Sequence, residues 1–327
     1  MNPFSINGAW SLGIRFIAER PGGHALILIG IGILAPFLAQ YALLGGTLAP
    51  LGPATMQSGM ATGATAGAPA VAAMALSYVL QTGSYFASWR LGFGAGRSLA
   101  GALLYGLAAG LLAVAVIAAV GASAMWVGSR LVSPGAVILG ALVVLVPIIL
   151  VLALFYATLA ALAAAAISLM LVVAMVLGTA IGQVGLAATL VGGRGDIVVL
   201  LLVMCGLLMW LAARLCCTTA AMADRGSFNL IAAARDSWRL TWEEQFGILR
   251  YLALVGFVLA VLLIGGAVAA GAGMAGFVGQ DSAPTLQVGA IAARFLVGVP
   301  IAFLTVLVPA GIYRQLTQAD LSAEVFA

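Results

Sequence analysis

The chain carries no charged residue between Arg130 and Arg194, and this interval limits the folds open to it more than any other feature. A water-soluble protein is about one quarter charged residues, whereas only 7% of this chain is charged. One helical crossing of a bilayer takes about 20 residues, so two crossings fit here comfortably and three fit barely. We place two, at 136–157 and 161–183, and predict an all-α protein embedded in a membrane.

Apolar segments of similar length recur along the whole chain, so we predict one integral membrane domain over residues 1–327. The predicted fold class is a polytopic transmembrane helical bundle with about eight spans. Six spans follow instead if 136–183 forms a single re-entrant hairpin. The predicted order is an interfacial helix at 1–23, spans one to six within 24–222, a cytoplasmic amphipathic helix within 223–248, spans seven and eight within 249–313, and a polar tail at 314–327. The spans outside the charge-free interval are placed at 24–46, 69–89, 98–121, 196–221, 249–272 and 288–313.

The placement of arginine predicts the orientation of the bundle, because all 13 basic residues are arginine. With eight spans and the N-terminus inside, ten arginines lie at or near the cytoplasmic side, and Arg130, Arg194 and Arg294 lie at or near the other side. Such an excess in the cytoplasmic loops is the usual pattern of membrane proteins. We expect a multi-pass protein of the bacterial inner (plasma) membrane with both termini in the cytoplasm. The net charge of +4 has the same explanation, and no basic cluster predicts nucleic-acid binding.

The N-terminal segment has the pattern of an amphipathic helix at the membrane surface. Trp10, Ile14 and Ile17 recur at the spacing of one helical face, and charged residues occupy another face. Residues 1–23 lack a leading basic region followed by an apolar core, so no cleavable signal peptide is expected. We predict an interfacial helix whose apolar face these three side chains form.

A second amphipathic helix is predicted at 227–246, with Ser227 as its N-terminal cap. Its apolar stripe consists of Ile231, Ala234, Trp238, Trp242 and Phe246. On another face, Arg235, Arg239 and Glu243 follow one another at intervals that suit ion pairing. The helix is either a structural membrane anchor or a docking surface for a cytoplasmic protein partner or an anionic lipid. The predicted contact residues of that surface are Arg235, Trp238, Arg239 and Trp242.

The segment around this helix resembles a known family. The run RLCCTTAAMADRGSFNLIAAARDSWRLTWEEQFGILRYLALVGF is similar to the closing motif of YciC-like bacterial inner-membrane proteins. These are related to the membrane domain attached to some glycerophosphodiester phosphodiesterases. The positions that carry the resemblance are Arg214, Asp224, Gly226, Ser237, Trp238, Arg239 and Thr241. The opening FSINGAWSLGIRFIAERPG is also similar. The resemblance implies a helical inner-membrane protein, and it does not imply the phosphodiesterase activity, because the catalytic barrel is absent and its metal site needs more histidine than this chain has.

Few polar residues lie within the predicted spans, and three of them share a helical face. Gln81, Tyr85 and Ser88 fall at i, i+4 and i+7. Such side chains either hydrogen-bond to neighbouring helices or line a cavity for a substrate or lipid. Arg214 and Arg294 are the charges that lie several residues inside a span. An ionisable residue within a membrane is a candidate functional residue, although we expect both arginines to extend to the interface from near their helix ends.

The sequence offers no set of residues for catalysis or for a cofactor. Cys205, Cys216 and Cys217 are the only cysteines, and they lack the spacing of a zinc site. A serine nucleophile would need His24 as its base, because the chain has no lysine and no other histidine. His24 is expected at the lip of the first span, so we predict no nucleophile–base pair, no metal, no cofactor and no enzymatic activity.

These observations favour a non-catalytic inner-membrane protein with an accessory or scaffold role in envelope or lipid handling. The alternative is a transporter or permease for a small neutral or apolar substrate, which the polar face motivates. An intramembrane enzyme is the third option. Membrane lipids are the expected partners. The GxxxG pairs Gly92/Gly96 and Gly106/Gly110 permit close helix packing and leave a homo-oligomer open.

Overall fold

The structure is a computed structural model, and it describes residues 4–43, 64–94, 98–131, 164, 195–275 and 283–326. Every regular element in these ranges is helical and none is a strand, which confirms the all-helical class predicted from the sequence. The fourth and fifth predicted spans, 136–157 and 161–183, lie outside the described residues apart from Ala164.

The helices of the described part are, in order, α1 (Ile6–Ala18), α2 (Pro21–Ala25), a π-helical segment (Leu26–Leu34), α3 (Ala35–Leu43), α4 (Ala64–Phe93), α5 (Leu99–Leu131), α6 (Gly195–Leu215), α7 (Thr218–Arg225), α8 (Leu230–Leu240), α9 (Gln245–Ala275) and α10 (Ala283–Phe326). α2, the π-helical segment and α3 follow one another directly and form one stretch, Pro21–Leu43. The wider π-helical turns lie just before Pro36, which has no N–H to donate and whose ring excludes a regular bond to the residue four places earlier.

Four helical stretches within the described ranges are long and apolar enough to cross a membrane, and we call them the candidate spans: Pro21–Leu43, Leu99–Ser123, Val203–Arg225 and Gly298–Gln318. They correspond to the first, third, sixth and eighth predicted spans, although the last is displaced toward the C-terminus. The second and seventh predicted spans, 69–89 and 249–272, lie within α4 and α9, and the part of α9 from Gln245 to Leu259 is apolar. α10 also continues through the predicted polar tail as far as Phe326.

α1 crosses α10 at close range, and small residues make this approach possible. A Cβ on Gly13 would lie 2.7 Å from the carbonyl oxygen of Leu307. A Cβ on Gly311 would collide with the carbonyl oxygen of Ala9. The two backbones are therefore nearly in contact, and neither glycine can carry a side chain without separating the helices.

The predicted apolar face of α1 is not the face that packs against the protein. Trp10 and Ile14 are exposed, whereas Ala9, Gly13 and Phe16 are buried and Ile17, the third residue of the predicted face, is partly buried against the core. α1 thus has two apolar faces, one formed by small residues against α10 and one formed by large residues on the outside. The outer face fits lipid contact, while the inner face makes α1 part of the bundle.

α4 and α5 pack along an extensive contact through glycine. A Cβ on Gly110 would lie 2.5 Å from the carbonyl oxygen of Val79, and one on Gly106 would collide with the carbonyl oxygen of Gly83. This GxxxG pair therefore brings two helices of the same chain together. Gly96, in the other GxxxG pair, lies outside the described residues.

The sixth predicted span, 196–221, is interrupted near its end. α6 stops at Leu215, a turn follows at Cys216 and Cys217, and the chain resumes as α7. The residues of α7 from Thr218 to Ala223 are buried, and the helix packs against α4, α8 and α10. The break leaves backbone groups at the end of α6 that need other partners.

α7 ends at Gly226, whose φ of 67° lies in the left-handed region that commonly closes helices. Arg90 of α4 reaches this end. Its Nη1 donates to the carbonyl oxygens of Ala223 and Asp224, at 2.7 and 3.0 Å, and a cation is favourable at a helix C-terminus. The guanidinium carbon of Arg90 also lies 5.2 Å from the ring centre of Tyr105 on α5. These contacts fix α7 to α4 and α5.

α8 is shorter than the amphipathic helix predicted at 227–246. Its N-terminal cap is Asn229, whose side chain accepts a hydrogen bond from the N–H of Ala232 at 3.0 Å. The prediction that Ser227 caps this helix was therefore wrong. Residues 241–244 form a turn after α8, and α9 begins directly after that turn.

Candidate functional site

The end of α6 and the second half of α8 are joined by hydrogen bonds between buried groups. The Ser237 hydroxyl donates to the carbonyl oxygen of Arg214 at 2.9 Å and accepts from the N–H of Cys217 at 3.2 Å. The Thr241 hydroxyl donates to the Ser237 carbonyl oxygen at 2.8 Å and lies 3.2 Å from that of Arg214. These side chains supply partners for backbone groups that the break after α6 leaves without intrahelical bonds.

The side chain of Arg214 lies beneath α8. Its guanidinium carbon is 4.3 Å from the ring centre of Trp238 and 4.5 Å from that of Trp242. The side chain has 0% exposure, and none of its three nitrogens has a hydrogen-bond partner in the part of the chain that the structure describes. The guanidinium is therefore not exposed, because two indole rings cover its charge; that it extends to the membrane interface stays a prediction.

A third tryptophan continues this arrangement toward the surface. Trp210 on α6 meets Trp238 edge to face, with ring centres 5.4 Å apart and an angle of 88° between the ring planes. We call Trp210, Trp238 and Trp242 the aromatic cluster. Trp210 and Trp242 are both exposed, so the cluster leads from the buried guanidinium to the outside of the protein.

Three residues of the predicted apolar stripe are exposed, whereas Trp238 is half-buried over Arg214. Ile231, Trp242 and Phe246 are 82%, 60% and 69% exposed. Ser237 and Thr241, on the opposite side, are fully buried. Large apolar side chains on the open face of a helix are typical of contact with lipid at a membrane surface.

The charged residues of α8 differ from their predicted pairing. Arg235 and Arg239 are exposed, and within the described ranges neither forms an ion pair with Glu243. The ion pair at this helix joins Arg225 to Asp236 instead. Of the four predicted contact residues, the two tryptophans thus belong to the aromatic cluster, and the two arginines remain on the exposed surface.

The predicted polar face of α4 forms hydrogen bonds in the structure. The Gln81 amide donates to the Tyr85 hydroxyl at 3.0 Å, and Tyr85 and Ser88 are buried. The Gln40 amide donates to the Ser77 hydroxyl at 2.9 Å and so links α3 to α4. Polar side chains paired in this way support a structural role for the face.

The structure brings together a histidine and a serine that the sequence did not connect. His24 Nδ1 lies 2.6 Å from the Ser88 hydroxyl, and both side chains are fully buried. This contact has the spacing of a nucleophile and its base, although the absence of a catalytic pair stays a prediction. The signal that could have found this pair is the single histidine at the start of one helix and a serine on the next helix along the chain.

The remaining predicted candidates are Arg294 and the three cysteines. Arg294 lies within α10, but its side chain is outside the described part of the structure. Cys205, Cys216 and Cys217 are buried free thiols, and the last two sulfurs are 3.8 Å apart. Among the described residues, no group of three or more His, Cys, Asp or Glu side chains could hold a metal ion.

A different arginine, Arg314 of α10, is paired within the chain. Its Nη1 and Nη2 donate to the two carboxylate oxygens of Glu19, at 2.6 and 3.0 Å. Nη2 also donates to the carbonyl oxygen of Gly92 at 3.2 Å, and the guanidinium carbon lies 4.9 Å from the ring centre of Phe16. The hydrogen bonds from Arg314 hold the pKa of the Glu19 carboxyl below its ordinary value. The pair ties the end of α1 to α10 and α4.

Comparison with protein-family models, with curated proteins and with solved structures found no match to the chain. The resemblance to YciC-like proteins remains a prediction. Four of the positions that carry it, Arg214, Ser237, Trp238 and Thr241, meet where α8 covers the end of α6.

Proposed function

We propose that the protein is a non-catalytic protein of the bacterial inner membrane with an accessory or scaffold role in envelope or lipid handling. The observation that carries this proposal is the two-sided surface of α8 and the turn after it. Ser237 and Thr241 bind the inner side to the end of α6, while Ile231, Trp242 and Phe246 are exposed on the outer side. A helix held in this way presents an apolar surface to a bilayer.

The proposal includes eight spans, with six as the alternative, and both termini in the cytoplasm. The distribution of arginine along the sequence supports this orientation. α8 then lies at the cytoplasmic face, where Arg235 and Arg239 are available to lipid headgroups or to a protein partner. A second copy of the chain is a further proposed partner. A YciC-like relationship accords with this proposal.

The lipid contact is tested by locating Trp242 in a reconstituted bilayer. We expect phosphatidylcholine brominated near the headgroup to quench the tryptophan emission of the full chain, because Trp242 is exposed on the outer side. Trp242→Phe should remove part of that quenching. Trp89→Phe is the control, since Trp89 is buried and donates to the Val306 carbonyl oxygen, so its loss should leave lipid quenching unchanged. Unaltered quenching in Trp242→Phe would overturn the proposed contact.

The non-catalytic part of the proposal is tested by turnover and flux assays on the same proteoliposomes. We expect no hydrolysis of phospholipids or phosphodiesters and no flux of small neutral solutes. The Gln81–Tyr85 hydrogen bond supports this expectation, because the predicted polar face has partners within the protein. Solute flux that disappears in Gln81→Leu would favour the transporter alternative.

One specific observation favours a second function, that of an intramembrane hydrolase. The His24 imidazole is placed to accept the Ser88 proton. Against this, both side chains are fully buried, and no acidic side chain in the described ranges hydrogen-bonds to the imidazole. We therefore expect no labelling by a fluorophosphonate probe. Labelling of the full chain that is lost in Ser88→Ala would establish the hydrolase in place of the scaffold.

A further inference from the structure

We propose that Arg214 and the aromatic cluster form a binding site for the phosphate group of an anionic phospholipid, with Trp242 as its movable cover. This inference rests on the proposed lipid contact of α8 and names the ligand class that the contact selects. The juxtaposition that carries it is a fully buried guanidinium, without a hydrogen-bond partner among the described residues, beneath an exposed indole.

The guanidinium of Arg214 has no hydrogen-bond or ion-pair partner among the described residues. Nε, Nη1 and Nη2 are all buried, and none donates a hydrogen bond to a described group. The two ion pairs of the described ranges involve other arginines, and Glu243 and Glu244, although adjacent to Trp242 in the sequence, do not pair with Arg214. Buried charges are costly unless they are paired and hydrogen-bonded, so a native fold that buries this one is expected to supply an anion.

The guanidinium of Arg214 is held against two aromatic rings. Trp238 and Trp242 contact it through their π systems, which attract a cation but accept none of its five N–H bonds. The N–H donors of arginine form a planar fork that matches a phosphate in a two-pronged arrangement. The rings therefore hold the group in place and leave its donors for a phosphate.

Access of a ligand to Arg214 depends on Trp242. Trp242 lies in the turn after α8 and not within the helix, and 60% of its surface is exposed. Trp242 is one of the two rings over Arg214, and its rotation would leave the Ser237 and Thr241 hydrogen bonds to the Arg214 backbone in place. The cover and the anchoring contacts are thus separate.

The surroundings favour a phosphate that belongs to a lipid. Trp210 and Trp242 of the cluster are exposed, and so are Ile231 on α8 and Phe246 at the start of α9; apolar side chains in such number suit acyl chains and not water. Tryptophan is enriched at the depth of lipid headgroups. A phosphate attached to acyl chains satisfies both parts of this surface, whereas free inorganic phosphate satisfies only the arginine.

The test is a titration of the purified full chain in neutral detergent with short-chain phosphatidylglycerol, monitored by tryptophan emission. Arg214→Gln should weaken binding by about tenfold or more, because a charge-assisted two-pronged contact is lost. Arg15→Gln is the matched control, since it removes the same charge from the exposed surface of a different helix, α1, and it should weaken binding by less than about twofold. Equal weakening in both variants would overturn the site in favour of general surface attraction.

Two further arms identify the ligand. Short-chain phosphatidylcholine, whose headgroup carries no net charge, should bind more weakly than phosphatidylglycerol. Inorganic phosphate should bind more weakly still. If inorganic phosphate bound as tightly as phosphatidylglycerol, the site would be one for free anions, and the lipid assignment would be wrong. Absence of binding by every probe would overturn the proposal and leave the arginine to an acidic group of a protein partner.

A second variant keeps the inference testable if Arg214→Gln fails to fold. Trp242→Ala removes the cover and leaves the charge, so phosphatidylglycerol should associate several-fold faster than with the unsubstituted chain. An unchanged association rate would show that Trp242 is not a cover. Failure here is distinct from failure of the proposed function, because quenching of Trp242 by brominated lipid would persist if α8 contacts the bilayer without a headgroup site at Arg214.

Discussion

Two arginines of the candidate spans, Arg314 near the end of its span and Arg214 near the end of α6, differ in what surrounds their charge. Arg314 donates two hydrogen bonds to Glu19, so a carboxylate of the same chain matches its charge. Arg214 is more deeply buried, and its guanidinium meets Trp238 and Trp242 but no described hydrogen-bond acceptor. Both have aromatic contacts, and of the two only Arg314 has an anionic partner among the described residues.

The difference separates an arginine that joins helices from one that is suited to a ligand. The charge of Arg314 is compensated within the fold, and its contacts connect α1, α4 and α10. The charge of Arg214 carries a desolvation cost that the two rings offset only in part. Substitution of Arg314 should therefore act mainly on stability, and substitution of Arg214 mainly on binding.

The largest expected effect on stability comes from Gly311→Leu, which should separate the Glu19 carboxylate from Arg314. Any side chain at Gly311 collides with the backbone of Ala9, so α1 must move away from α10 and take Glu19 with it. We expect the free energy of unfolding to fall by about 3 kcal/mol, as measured by unfolding of the chain in detergent micelles. Arg314 would then resemble Arg214, with aromatic neighbours and no anion.

The control for this change is Gly206→Leu. Gly206 also lies within a helix, but an added Cβ there meets no atom within 4 Å. We expect its effect to remain within about 0.5 kcal/mol. Similar losses in the two variants would mean that leucine at a helical glycine is harmful in general, and the close crossing of α1 and α10 would lose its special importance.

The next effect compares the two arginines directly, in neutral detergent without anionic lipid. Arg314→Met should lower the free energy of unfolding by about 1 kcal/mol, because a largely exposed carboxylate loses its partner. Arg214→Met should leave stability unchanged or raise it, since an apolar side chain replaces a buried charge that lacks an anion. Parallel melting curves measure both. A larger loss in Arg214→Met would contradict the division into stabilising and binding arginines.

A smaller, pH-dependent effect is expected at Glu19. Its pKa in the folded protein lies below the ordinary value of 4.5, chiefly because Arg314 donates to the carboxylate. The stabilisation is therefore complete above 4.5 and is lost as the pH falls through the lower, folded pKa. Glu19→Gln should cost less than about 1 kcal/mol at neutral pH, because half of the side chain is exposed. Melting temperatures of the two proteins should converge in acid; a constant difference would argue against the charge as its cause.

The sequence predicted the helical class and four candidate spans because a long apolar run depends only on local composition. It also predicted the exposed stripe that includes Trp242 and Phe246. It did not predict the cover over Arg214, because that cover depends on the turn at Cys216 and Cys217. This turn redirects the chain so that α8 lies over the end of α6, and local periodicity contains no sign of it.

Contacts between distant parts of the chain were missed for the same reason. The large side chains of α1 indicated its outer face, whereas its inner face depends on Gly311, a partner from the other end of the sequence. The bond between His24 and Ser88 likewise requires knowing which helices pack together. Composition predicts which segments are helical, and small residues acquire their meaning only from the helix that they face.

The smallest effect on the free energy of unfolding is expected at a third arginine, Arg225. Arg225 pairs with Asp236, and the two side chains are 48% and 26% exposed. Surface pairs contribute little in water, so Asp236→Asn should change the free energy of unfolding by about 0.3 kcal/mol, and less at high salt. Unfolding at low and high salt measures this difference. A loss above about 1 kcal/mol would mean that ion pairing, and not the Ser237 bonds to Arg214, holds α8 in place, and the cover over Arg214 would then open with salt.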